Sequence, residues 1–134
     1  MDEQALVAAA LAARAGAHAP YSGFRVGAAI ACADGSVVAA ANLENASLGL
    51  SVCAERNAVA AAVFAGRRDW LAIAIATEAA GFTPPCGACL QVLREFAAEL
   101  PVILVNASGE RERCRLVDFL PRPFLDYPRR EPLR

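Results

Sequence analysis

Three cysteines stand where helical stretches begin. Cys53 opens one alanine-rich apolar stretch, and Cys86 and Cys89 share the first turn of another. The exposed N–H groups and positive dipole end of a helix N-terminus favour thiolate over thiol, and thiolate is the form that binds zinc. Cys86 and Cys89 are three residues apart, so both can face the same metal. If the two helices follow neighbouring parallel strands, their N-termini emerge on the same edge of the sheet and the three sulfurs converge there. Three protein ligands leave the fourth tetrahedral position of zinc for water, as in catalytic rather than closed structural sites, and point to hydrolytic chemistry. Glu55, two residues after Cys53, is placed to carry protons to and from that water without being a ligand. Arg56 can set a guanidinium beside the thiolates and offset the excess negative charge of three sulfurs on one divalent ion. Seen alone, Arg56 reads as a surface helix arginine.

These residues need elements to hold them. Apolar residues at Leu6, Val7, Ala10 and Leu11 predict a helix over Glu3–Ala17, with Gly16 as its stop signal. Arg25–Ala33 and Ser36–Ala41 are apolar runs separated by Asp34-Gly35, a strong hairpin signal. The polar loop Asn42–Ser51 leads into a helix over about Cys53–Ala65, ended by Gly66. Trp70–Thr77 reads as a buried strand, Cys86–Leu100 as a helix, and Val102–Asn106 as a strand begun by Pro101. A short strand at Arg111–Arg115 and a helical turn at Leu116–Leu120 follow. This order predicts an α/β fold: a mixed sheet of about five strands flanked by helices, the Trp70 and Val102 strands parallel and joined by a helical crossover, and an antiparallel hairpin on one side. One domain over 1–125 and a proline- and arginine-rich tail over 126–134 are expected.

Composition narrows the class. The chain has 134 residues, 57% hydrophobic and 20% charged, which excludes a disordered polymer. The longest apolar runs, Ala58–Ala65 and Trp70–Ala76, fall well short of the ~20 residues that cross a bilayer, so no membrane role is expected. Asp2 and Glu3 sit where a secretory signal carries positive charge, which reads as a cytoplasmic start. Thirteen arginines, no lysine and fourteen acids give a net charge of −1, without the basic excess that nucleic-acid polymers attract. Five cysteines, an odd number, disfavour a disulfide framework. Cys32 and Cys114 are read as packing or surface thiols, and His18 as a loop residue rather than a ligand.

Cys53-Ala54-Glu55-Arg56 together with Pro85-Cys86-Gly87-Ala88-Cys89-Leu90-Gln91 resembles the cytidine deaminase family. The zinc-deaminase signature pairs a His or Cys ligand and a Glu two residues later with a downstream P-C-x-x-C. Tyr21–Ala29 and Asn42–Ser47 also resemble segments of that family, so the likeness runs from Tyr21 to about Phe124. It implies a three-layer α/β/α fold, a Zn2+ cofactor held by Cys53, Cys86 and Cys89, and Glu55 as the catalytic acid and base. The chemistry implied is hydrolysis of cytidine and 2′-deoxycytidine to uridine and 2′-deoxyuridine with release of ammonia, in pyrimidine salvage. Asn42 and Glu44 would bind the ribose 3′-hydroxyl; alone, Asn42 reads as a turn former. Phe24 would pack on pyrimidine or ribose, Phe124 would serve a neighbouring subunit's site, and the backbone amides of Ala54 and of residues 86–89 are candidate donors to the base carbonyl and the thiolates. A homotetramer is implied by the resemblance alone. Leu48, Leu90 and Gly23 depart from the Tyr, Arg or Lys, and Lys common in the family.

Three other readings use the same residues. Cys86 and Cys89 could form a thiol–disulfide oxidoreductase motif, which leaves Cys53, Glu55 and the Asn42 loop without a task. A structural zinc in a binding module needs a fourth ligand, for which Cys32, Cys114 and His18 lack the paired spacing. A deaminase of an unusual nucleoside such as blasticidin S is disfavoured by the Asn42-Leu43-Glu44-Asn45 loop.

Overall fold

The computed structural model describes residues 1–131. Ten elements follow one another: α1 (Glu3–Arg14), β1 (Gly27–Cys32), β2 (Val37–Ala41), a 3₁₀ turn (Leu48–Leu50), α2 (Ala54–Phe64), β3 (Trp70–Ala76), α3 (Gly87–Phe96), β4 (Pro101–Val105), β5 (Arg111–Arg115) and α4 (Leu116–Phe119). The sheet order is β2-β1-β3-β4-β5, with β3 and β4 parallel and every other pair antiparallel. The α/β class, the mixed five-stranded sheet, the hairpin and the parallel pair are as the sequence predicts. At the hairpin turn, Gly35 takes φ +88°, and Asp34 accepts from the Ser36 N–H at 2.9 Å.

The alternation in β3 explains the layers. Because successive strand residues point to opposite faces, Ala72, Ala74 and Ala76 face one side while Ile73 and Ile75 face the other. The small face receives α1 through Leu6, Val7 and Ala10. The large face packs against Ala54, Ala58, Val59 and Ala62 of α2 and Leu90 and Leu93 of α3. Each fully buried isoleucine contributes about 1.5–3 kcal/mol, so this face carries much of the stability. Close approach on the α1 side is set by Gly27, where a Cβ would lie 2.0 Å from the Ala10 carbonyl oxygen and 2.4 Å from the Arg14 nitrogen.

Three expectations are corrected. α1 ends at Arg14, not Ala17, because the chain must turn back there toward the start of β1. α3 ends at Phe96, not Leu100: Ala97 is extended, and Leu100 precedes Pro101, a position where the helical conformation is sterically disfavoured, and is buried in the core. The two cysteine-bearing helices do not follow neighbouring parallel strands. α2 follows β2 and α3 follows β3, with β1 between them. Because β1 is antiparallel to both, β2 and β3 run in the same direction, and both helices still open at the same end of the sheet. Of the expected tail 126–134, residues 132–134 lie outside the described residues. Its described part lies along α3, where Arg129 Nη1 meets Glu95 Oε2 at 3.0 Å. Among the described residues no helix is long and apolar enough to cross a membrane.

The packing at Gly27 gives a direct test. Gly27→Ala forces α1 away from the sheet and is expected to destabilise the fold by about 1–3 kcal/mol. Gly49→Ala, where nothing lies within 4 Å of the added Cβ, should leave the melting temperature nearly unchanged. Equal melting temperatures for the two variants would contradict this account.

Candidate active site

Cys53 is the N-cap of α2 and Cys86 the N-cap of α3, while Cys89 is the third residue of α3. Neither N-cap sulfur makes a capping bond to a backbone amide of its own helix, so both are left to face the space between the two helix ends. All three sulfurs lie within 4.8 Å of one another, and Cys53 Sγ is 3.9 Å from Cys86 Sγ. None of the five cysteines is disulfide-bonded. Tetrahedral ligands about 2.3 Å from a zinc ion lie about 3.8 Å from each other, so the spacing and the all-sulfur donor set fit zinc. The convergence of Cys53 with the other two is what a two-cysteine redox motif leaves unexplained. Cys32 is buried in β1, Cys114 is on the edge strand β5, and His18 lies opposite Leu43 in a parallel bridge, its N–H donating to the Asn42 carbonyl and its carbonyl accepting from the Glu44 amide.

The cluster's electrostatics favour a cation. The Cys89 thiol, and after it Arg56, hydrogen-bonds the Cys53 sulfur and draws its pKa from 9.0 down to about 5, while Cys89 is correspondingly held protonated. The lowered Cys53 pKa favours the thiolate form that a divalent ion binds. Arg56 Nη2 lies 3.5 Å from Cys53 Sγ, and contact with the sulfurs raises the pKa of its guanidinium. Its Nε is buried without a partner among the described residues. Glu55 is only 5% exposed. Burial first, then the Cys53 charge, pushes its carboxyl above the usual range, toward the region where a group can both take and give protons.

Cys53, Glu55 and Cys86 line a cavity of about 260 Å³. Phe24, Asn42, Glu44 and Ala54 line the same cavity, so the structure brings together all but three of the residues singled out from sequence. Arg56 and Cys89 lie just behind its wall at the sulfur cluster. Phe124 stands elsewhere: the residue is 67% exposed, and its backbone is paired with the Gln91 side chain through N–H···O bonds of 2.7 and 3.1 Å. Glu44 accepts from the Tyr21 and Ser22 amides at 3.0 and 3.1 Å and from the Ser22 hydroxyl at 2.5 Å, and the Ser22 bonds hold its carboxyl below the usual range. Asn42 accepts from the Val26 amide at 2.8 Å and donates to the Phe24 carbonyl at 2.9 Å, leaving one N–H and one lone pair unspent. This brace on the Phe24 segment was not legible from an Asn-x-Glu loop. Sequence reasoning also missed Ser22, Thr77 and Thr83 in the cavity wall; Ser22 sat within the Tyr21–Ala29 likeness, but nothing in the spacing marked either threonine.

Residues 1–105 match the family described as the cytidine and deoxycytidylate deaminase zinc-binding region. A cytidine deaminase from Halalkalibacterium halodurans is 47% identical over 125 residues, covering 92% of this chain and 95% of that protein. A cytidine deaminase from Mycobacterium tuberculosis is 44% identical over 112 residues, covering 84% and 81%. The crystal structure of cytidine deaminase from Burkholderia pseudomallei superposes with a TM-score of 0.89 at 46% identity, covering 92% of this chain and all of the other.

Metal analysis should find one zinc per chain. Replacing Cys53, Cys86 or Cys89 by alanine should each strip the metal and lower the melting temperature, because ligand thiolates couple metal binding to folding. Cys32→Ala and Cys114→Ala should keep it. Full zinc occupancy in Cys53→Ala would remove that residue from the ligand set.

Proposed function

The chain belongs to the cytidine and deoxycytidylate deaminase zinc-binding family, and from that premise we propose that it hydrolyses cytidine and 2′-deoxycytidine to uridine and 2′-deoxyuridine, with one water consumed and one ammonia released. The observation that carries the reading is the arrangement of one cavity: three convergent sulfurs with a buried carboxyl beside them, and an anchored, ionised carboxylate among its other walls. Cys53, Cys86 and Cys89 would hold the zinc, which when bound supplies the Lewis acidity that makes water a nucleophile at neutral pH.

The remaining work falls to side chains. Glu55 takes a proton from the attacking water and delivers it to N3 of the base, then passes a second proton to the amino group, which leaves as ammonia. Its position in the first turn of α2 and its burial support both transfers, since desolvation raises the carboxyl's proton affinity above that of an exposed glutamate. The Ala54 amide, one of the first N–H groups of α2 and without a partner among the described residues, is the donor for the base carbonyl. Phe24 covers the ring. Glu44 and the unspent half of the Asn42 carboxamide receive the ribose 3′-hydroxyl, and the hydrogen bonds that fix Glu44 leave it ordered for that task. Arg56 tempers the charge of the thiolates.

Phe124 is assigned to a neighbouring subunit's cavity in a homotetramer. Support comes from its exposure and from its place outside the residues that line the nucleoside cavity, with its backbone bonded to Gln91. The domain is assigned to residues 1–125 with 126–134 appended, and the activity to cytoplasmic pyrimidine salvage, consistent with a free nucleoside as the substrate.

Purified protein should convert cytidine to uridine with equimolar ammonia. Glu55→Gln should retain zinc but lose about 10²–10⁴-fold in kcat, the usual contribution of a positioned acid–base group. Near wild-type turnover by that variant would contradict the proton-transfer role.

A further inference from the structure

One arginine from the far face of the sheet reaches the wall of the cavity. Arg14 closes α1, and its Nη1 donates to the Thr77 carbonyl at 2.5 Å. The helix that carries it is seated directly on the sheet, because Ala10 and Arg14 approach Gly27 with no room for a Cβ. Gly27 pairs with Ala76, the last residue of β3, and Thr77 follows it.

Thr77 is fixed at every polar group. It is 2% exposed; its N–H donates to the Val105 carbonyl at 3.0 Å, its carbonyl accepts from Arg14, and its hydroxyl accepts from the Ala79 amide at 3.3 Å. The same hydroxyl lies 3.4 Å from that of Thr83. Both threonines line the cavity, and Thr83 stands three residues before Cys86.

The segment between them is held unevenly. Its outer half is tied by Arg25 to Glu78, by the Ala107 amide to the Ala79 carbonyl and by Asn106 to the Ala80 carbonyl. Residues 81–85 have one hydrogen bond among the described residues, the contact between Thr83 and Thr77. Where Thr77 sits therefore decides where the wall at Thr83 and Pro84 sits, and from what direction the chain enters Cys86.

We propose that Arg14 is a positioning residue for the nucleoside site, acting through Thr77 and Thr83 on the cavity wall that leads into Cys86. The proposal rests on the reading of this cavity as the cytidine site. It assigns a role in substrate placement to a helix that touches neither the sulfurs nor the cavity.

The test uses the zinc-loaded full chain with Arg14→Met, Thr83→Val and the double variant, read by backbone 15N order parameters at Gly81, Phe82, Thr83 and Cys86 and by steady-state kinetics on cytidine. Arg14→Met should lower those order parameters from about 0.85 toward about 0.6, while α1 and β4 keep wild-type values. Thr83→Val should do the same, and the double variant should be no worse than the larger single change, as expected for residues acting in series. KM for cytidine should rise about fivefold, the weight of one net hydrogen bond, with kcat within about twofold, the pattern of weakened binding rather than lost chemistry. Unchanged order parameters at these four residues in Arg14→Met, or effects that add in the double variant, would overturn the relay. Should Arg14→Met fail to fold, Thr83→Val decides by itself: lowered order parameters support the relay and wild-type values overturn it. If the wild type does not turn over cytidine, the substrate reading fails, and the order parameters still decide the relay.

Discussion

Everything at this site depends on gathering three sulfurs within 4.8 Å of one another, an arrangement that mutual repulsion opposes as soon as more than one is ionised. The fold offsets that cost locally. Cys53 and Cys86 are the N-caps of their helices and Cys89 is in a first turn, where the helix dipole favours negative charge. Arg56 adds a full positive charge against Cys53. A divalent cation completes the balance, and the donor spacing matches what zinc requires. The same crowding acts on Glu55, whose burial beside a thiolate favours its protonated form.

The gathering is a consequence of sheet topology. β2 and β3 are each antiparallel to β1 and so run in the same direction, which delivers α2 and α3 to one end of the sheet on one face. The isoleucine side of β3 receives those helices and the alanine side receives α1. The layer that holds the chemistry is thus packed by large side chains, and the opposite layer by close backbone approach at Gly27. The alternation in Trp70–Ala76 is therefore both the core's pattern and the reason the helices settle where they do.

Much of this was legible in the sequence because the signals were local. Asp34-Gly35 marks its hairpin through backbone conformation, and Cys53, Glu55, Cys86 and Cys89 mark the metal site through spacing on helix starts. Strand order was less legible: the two helices converge across an intervening antiparallel strand, and nothing in the β1 sequence states which edges it joins. The end of α3 was overrun because Leu93 and Phe96 continue a helical pattern into Leu100, whereas Pro101 and burial of Leu100 require an extended approach to β4. Asn42, Thr77 and Thr83 show a different limit. Their hydrogen bonds reach across 16, 28 and 6 residues to groups that only the fold brings near, so residue type alone could not reveal them.

The central claim is that three thiolates of this chain hold one zinc ion whose fourth position stays open. X-ray absorption at the zinc edge of the loaded protein tests it directly. The account predicts three sulfur neighbours at about 2.3 Å and one oxygen or nitrogen at about 2.0–2.1 Å. A shell of four sulfurs would make the site closed and structural, and a shell without sulfur would place the metal elsewhere.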